Sequence, residues 1–265
     1  MKLGSDVMFF AKPGEYEPCG IFSTKHFILL ILTIICIKVA VEHTDITNKD
    51  KIKKKIQIIT IGAWTLEVIK IAFNLMIGNA KNINTYIPLY YCSILLYAGI
   101  FSSFGKGTIK RVGDVFLATG GIVGGIVFLI FPTTSITTYP MLHYLSLHSF
   151  IYHGAMIYLG IIINKSKYIE IEKKDIKYYC SLMGAMCFIA FIINMIFDSN
   201  LMFISKDFPN NPITIIYKLT GKYFPLIVSL AQMTLPFYIC LKCKKKIEKV
   251  ELKKENKLLY ENSNI

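Results

Sequence analysis

The chain lacks most features from which function is ordinarily read. It has no glycine-rich phosphate-binding loop, no repeat of fixed period and no stretch that reads as a soluble domain. Its first apolar run begins only near His26 and has no small-residue cleavage site behind it, so it reads as a membrane span rather than a signal peptide. The cysteines, at positions 19, 36, 92, 180, 187, 240 and 243, are odd in number and mostly sit in apolar runs. No disulfide framework is legible in them. Cys240-Leu-Lys-Cys243 has CxxC spacing but stands alone at the end of an apolar run, without the partners that a metal or redox site needs. No cofactor and no metal is expected.

What the chain has in quantity is hydrocarbon. Over 265 residues it is 54% hydrophobic, with a mean hydropathy of +0.49. Several segments approach the roughly 20 apolar residues that cross a bilayer. A soluble chain of this length cannot bury that many apolar helices on all sides, so the fold class is an all-α polytopic membrane protein. The sequence predicts a bundle of seven transmembrane helices at 26–41, 56–77, 87–104, 112–131, 145–163, 178–197 and 223–241. Residues 1–25 then form an extracellular N-terminal segment, 26–241 the transmembrane domain, and 242–265 a basic cytoplasmic tail.

The formal charge of +13 does not point to nucleic acid, because the lysines sort by connection. Segment 42–55 carries Lys49, Lys51, Lys53, Lys54 and Lys55, whereas 78–86 carries only Lys81. Lys106, Lys110 and Arg111 follow; then 132–144 has neither Lys nor Arg. Segment 164–177 has Lys165, Lys167, Lys173, Lys174 and Lys177, while the longer 198–222 has Lys206, Lys218 and Lys222. High and low alternate, which places the N-terminus outside and the C-terminus in the cytoplasm. The lysines of 242–257 fix that orientation and are also suited to anionic lipid headgroups.

Ionisable residues inside spans are costly and mark function by default. Glu67, Lys70 and Asn74 fall on one face of the second span, with Glu67 and Lys70 spaced i,i+3 for pairing. His148 and His153 diverge by about 140° on a helix, which argues against a joint metal site on one face. His148 is near enough to the boundary to snorkel to water; His153 lies deeper. With Cys92, Asn194 and Asn200, these residues outline a polar pocket in the outer half of the bilayer, with 198–222 and its Pro209-Asn-Asn-Pro212 turn as a cap. Glu67 or Asn194 is suited to orient an imidazole, although Asn194 and Asn200 fit better as a helix-end cap that orders the following loop. The overlapping GxxxG pairs in Gly120-Gly121-Ile-Val-Gly124-Gly125 signal close helix packing, and Pro236 predicts a kink in the last span.

Pro88-Leu-Tyr-Tyr-Cys92-Ser resembles the P-L-x-x-C motif of YwaF-type bacterial integral membrane proteins, relatives of the eukaryotic transmembrane-protein-164 acyltransferases. Tyr152-His153-Gly154 is similar to their S-H-G segment, with tyrosine in place of serine. Asn194-Met-Ile-Phe-Asp198-Ser-Asn200-Leu-Met202-Phe is similar to their N-x-x-x-x-x-N-Y-M-[FY] run, with Leu201 where tyrosine is usual. The resemblance covers the second to seventh spans. It implies a bacterial cell-membrane enzyme that moves acyl groups on a phospholipid or other acyl lipid, with Cys92 as nucleophile and His153 as base. Transfer to a second lipid and hydrolysis are both open. The residues alone also admit a small transporter lined by Glu67, Lys70 and Asn74, or a ligand-binding membrane protein without catalysis.

Overall fold

The computed structural model describes residues 8–77, 83–208 and 211–263. Lys81, Pro209 and Asn210 lie outside the described residues, as do several side chains of the 242–257 lysine run. Among the described residues all regular structure is helical. The first two long helices each start where a polar side chain takes an orphan N–H. Helix α1 (Thr24–Glu42) is capped by Ser23, which accepts from the His26 N–H. Helix α2 (Lys49–Met76) is capped by Asn48, which accepts from the Asp50 and Lys51 N–H groups. That cap starts α2 seven residues before the predicted span, so its lysine-rich first turns are helical too.

Helix α3 (Ile94–Phe104) is only 11 residues long. The predicted span 87–104 is therefore corrected: residues 91–93 form a turn and the helix begins after it. Pro88 lacks an N–H and biases its neighbour away from helix. The predicted span 112–131 corresponds to one membrane-crossing stretch, Gly107–Ile130, but that stretch is interrupted. It is two helices, α4 (Gly107–Ala118) and α5 (Gly120–Ile130), broken at Thr119 with φ −129° and ψ −81°. Then come α6 (Tyr144–Lys165), α7 (Ile176–Phe197), the short α8 (Ile213–Thr220) and α9 (Phe224–Ser263). Helix α9 is 40 residues long in all and continues into the basic tail as far as Ser263. Pro236 sits inside α9. The carbonyl it leaves without a partner, that of Gln232, is met by the Tyr179 hydroxyl at 3.3 Å.

Among the described residues, six helical stretches are long and apolar enough to cross a membrane, with α4 and α5 counted together, and the shorter α3 makes a seventh apolar segment. The protein is a polytopic membrane bundle. Its core lies where α2, α3, α4, α6 and α7 meet, around Ile52, Ile56, Leu96, Phe116, Met156 and Tyr179. Isoleucines and phenylalanines on α1, α7 and α9 face outward, as expected where hydrocarbon is the solvent. Lipid gives no hydrophobic drive for helices to associate, so close approach at small residues matters more.

The lysine-poor connections meet at one end. Cys19 and Gly20 donate backbone N–H groups to the Tyr139 and Ile136 carbonyls, and Asn211 reaches Thr133 at 3.4 Å. Asn200 N–H donates to Asn84. At the opposite, lysine-rich end Arg111 forks onto the buried Asp175 at 3.1 and 2.6 Å. Nearby, Lys110 pairs with the buried Asp114 at 2.6 Å, which also takes the Ser102 hydroxyl.

Candidate active site

The turn before α3 carries Cys92, half-buried and with its thiol free. Non-helical backbone at membrane depth is tolerated only where protein satisfies it, and here it does. The Cys92 carbonyl accepts from the Leu95 N–H at 3.1 Å and from the Tyr152 hydroxyl of α6 at 3.2 Å. The Leu89 carbonyl accepts from the Met202 N–H at 3.1 Å. Next to Cys92, the hydroxyls of Tyr91 and Tyr179 lie 2.7 Å apart, and Tyr91 reaches the Gly120 carbonyl at the helix break. The thiol sulfur rests 3.9 Å from the Gly124 carbonyl of α5.

His153 is buried. Its Nδ1 lies 2.6 Å from the Ser149 carbonyl one turn back. A carbonyl can only accept, so Nδ1 carries the proton and Nε2 holds the lone pair of a neutral imidazole. That Nε2 is buried and has no partner. The ring stacks flat on Phe128 of α5, with centroids 3.6 Å apart and planes 8° apart. Gly124 and Phe128 are i,i+4, hence neighbours on one face of α5, about 6 Å apart along its axis. Cys92 and His153 thus each touch α5, at residues one turn apart, but no hydrogen bond joins the thiol to Nε2. Gly125 allows this approach, since a Cβ there would stand 2.8 Å from the His153 carbonyl.

The remaining expected pocket residues fall into two groups. Glu67 is buried and ion-paired to Lys70 at 2.5 Å; Asn74, also buried, donates to the Lys70 carbonyl. His148 does not snorkel to water. It is buried, with Nε2 unpartnered and 3.9 Å from the nearer Glu67 oxygen, beyond hydrogen-bond reach. Its ring stacks on Tyr152 at 5.7 Å. Glu67 thus faces His148, and the Ser149 carbonyl, not Glu67 or Asn194, orients His153. Asn194 and Asn200 instead bind the 198–206 loop.

Sequence reasoning missed Tyr152 and Phe128 as parts of this site. Tyr152 was visible only as a departure beside His153; its hydroxyl contact depends on the turn, which hydropathy does not reveal. Nothing in the sequence distinguishes Phe128 from the other aromatics of the apolar runs.

The TMEM164 family model matches residues 21–242, most of the chain. The chain belongs to the TMEM164 family. The match runs from the loop before α1 to the basic end of the bundle, so it contains Cys92, His153 and the Asn194–Phe203 run of this TMEM164 family member. No curated protein and no solved structure matches the chain.

Proposed function

We propose that this TMEM164 family member is a membrane-embedded acyltransferase or acyl hydrolase acting on phospholipid through Cys92 and His153. The observation that carries the reading is the buried, unpartnered Nε2 of His153, held in its basic tautomer by Ser149, on the α5 face that Cys92 also touches. A buried thiol is a weak nucleophile until a neighbouring base removes its proton. In this scheme His153 Nε2 takes the Cys92 proton and the sulfur attacks an ester carbonyl of the lipid. The C–O bond then breaks as the imidazolium protonates the departing lipid hydroxyl, leaving an acyl thioester. A second hydroxyl, from another lipid or from water, reverses the step and restores the thiol.

A groove between α1, α5 and α6 supports the acyl part of this reading. It is lined only by aliphatic residues, including Leu30, Ile34, Ile126, Leu129 and Ile157. Ile157 lies one turn beyond His153, and Leu129 follows Phe128. The lysine alternation favours the outer leaflet of a bacterial plasma membrane as the site of reaction, and anionic headgroups as neighbours of the basic part of α9.

The test uses purified protein in phospholipid vesicles containing a labelled acyl chain. A hydroxylamine-sensitive label on Cys92, absent from Cys92→Ala and from His153→Ala, is the expected result. Unchanged lipid remodelling by Cys92→Ala sinks the mechanism.

A further inference from the structure

The run Asn194–Phe203 contributes no group to the Cys92–His153 face, yet it is tied to the turn that carries the thiol. Helix α7 ends at Asp198, and the chain returns through a short 3-10 turn, Leu201–Phe203. Met202 there takes φ 57° and Phe203 φ 52°, a left-handed backbone that costs a bulky residue of order 1–3 kcal/mol and persists only where the surroundings impose it. Asn194 imposes it from below. Its Oδ1 accepts the Leu201 N–H at 2.7 Å and the Ser199 hydroxyl at 2.6 Å, while its Nδ2 donates to the Leu201 carbonyl at 3.0 Å and to Ser205 at 2.8 Å. Gln232 on α9 donates to the Met202 carbonyl at 2.9 Å.

Held in this way, Met202 turns its N–H onto the Leu89 carbonyl, three residues before Cys92. The neighbouring Phe203 ring lies 4.9 Å from Tyr90. Asn200 secures the other side: its N–H donates to Asn84 at 3.2 Å, and its Oδ1 accepts from Ser205 and Lys206. Leu201 and Met202 are fully buried in the process.

We infer that residues 198–206, following α7, are a clamp that fixes where the Cys92 thiol stands, with Asn194, Asn200 and Gln232 as positioning residues. For its purpose the inference rests on the acyl-transfer reading; for its geometry it does not. Without the clamp the turn has backbone groups with no partner and opens more often. The first consequence falls on the thiol, while the helices that hold the bundle together are untouched.

The experiment measures alkylation of individual cysteines by N-ethylmaleimide, read by mass spectrometry on the full chain in lipid nanodiscs. Cys187, buried on α7, is the internal reference, because general loosening of that helix would label it as well. Asn194→Ala is expected to raise the Cys92-to-Cys187 labelling ratio about tenfold, the population change that about 1.4 kcal/mol produces. Gln232→Leu keeps the test open if Asn194→Ala does not fold: it removes one donor and with it a buried acceptor that has no partner. Its expected rise is about threefold, since one net hydrogen bond is lost. In both, acyl transfer falls in kcat with KM little changed. A folded Gln232→Leu or Asn194→Ala protein with an unaltered ratio overturns the clamp. A raised ratio in a protein whose wild type transfers no acyl group sustains the clamp and overturns the proposed function instead.

Discussion

Replacing Gly125 with alanine tests how closely α5 and α6 depend on each other. The added Cβ would stand 2.6 Å from Ile157 Cγ1 and 2.8 Å from the His153 carbonyl oxygen. Ordinary contact begins near about 3.4 Å, so α6 has to retreat by roughly half an ångström. The Ile157 branch can turn aside, but a helical carbonyl cannot move without its helix. Overpacking of this kind costs about 1–3 kcal/mol, offset by about 1 kcal/mol because alanine favours helix over glycine. Gly121 is the control. An added Cβ there meets nothing closer than 3.5 Å, so Gly121→Ala keeps only the helix gain. The two substitutions, four residues apart, are expected to differ by about 2 kcal/mol, or about 4–8 °C in thermal midpoint. Thermal unfolding of both variants in one detergent, followed by the fluorescence of Trp64, reads the difference. If Gly121→Ala lowers the midpoint as much as Gly125→Ala, the packing argument is wrong.

Three further outcomes follow from the geometry. Tyr152→Phe removes the donor to the Cys92 carbonyl; the expected stability loss is about 1 kcal/mol, with faster Cys92 alkylation, and unchanged alkylation would contradict the role. Arg111→Lys keeps the charge but loses the fork onto Asp175 and the bond to the Glu170 carbonyl. With Arg111 partly exposed, a loss of about 1–2 kcal/mol is expected by chemical denaturation, and a neutral result would show that one point charge suffices. His143, which caps α6, accepts the Leu145 N–H on Nδ1 and reaches the Ala11 carbonyl with Nε2. Burial holds it below its ordinary 6.5. A lowered folded pKa gives a contribution that is complete above the unfolded value and lost as pH falls through the folded one. Proteolysis of the N-terminal segment should therefore be faster at pH 5 than at pH 7.5, and equal rates after correction for the protease's own pH dependence would refute the link.

The membrane class and the number of apolar segments were readable because hydropathy and lysine placement are set by the bilayer and not by tertiary contacts. The meeting of the described parts of 8–23, 78–86, 132–144 and 198–222 at one end agrees with their shared poverty in lysine. The GxxxG reading likewise reported a real close approach, of α5 to Tyr91 and α6. What escaped was geometry that hydropathy does not encode. Ile87–Cys92 is as apolar as a helix and is not one. Thr119 breaks α4 from α5 between residues that all favour burial. The tail alternates Glu and Lys, which suits a solvated helix as well as a frayed end, and α9 continues through it. Asn194 suits ordering of the loop after its helix as well as a pocket, and the structure gives it the loop; its particular partners, Leu201 and Ser205, come into reach only when the chain reverses after Asp198.

The shortness of α3 makes membrane thickness a variable of the site. Eleven helical residues rise about 16 Å, roughly half of a hydrocarbon core of about 30 Å. The long helices can answer thicker lipid by tilting. The Cys92 turn is pinned to its neighbours and cannot tilt alone, so longer lipid tails submerge it further. Under the proposed mechanism, the acyl composition of the host membrane would set how deep a carbonyl must sit to meet the thiol.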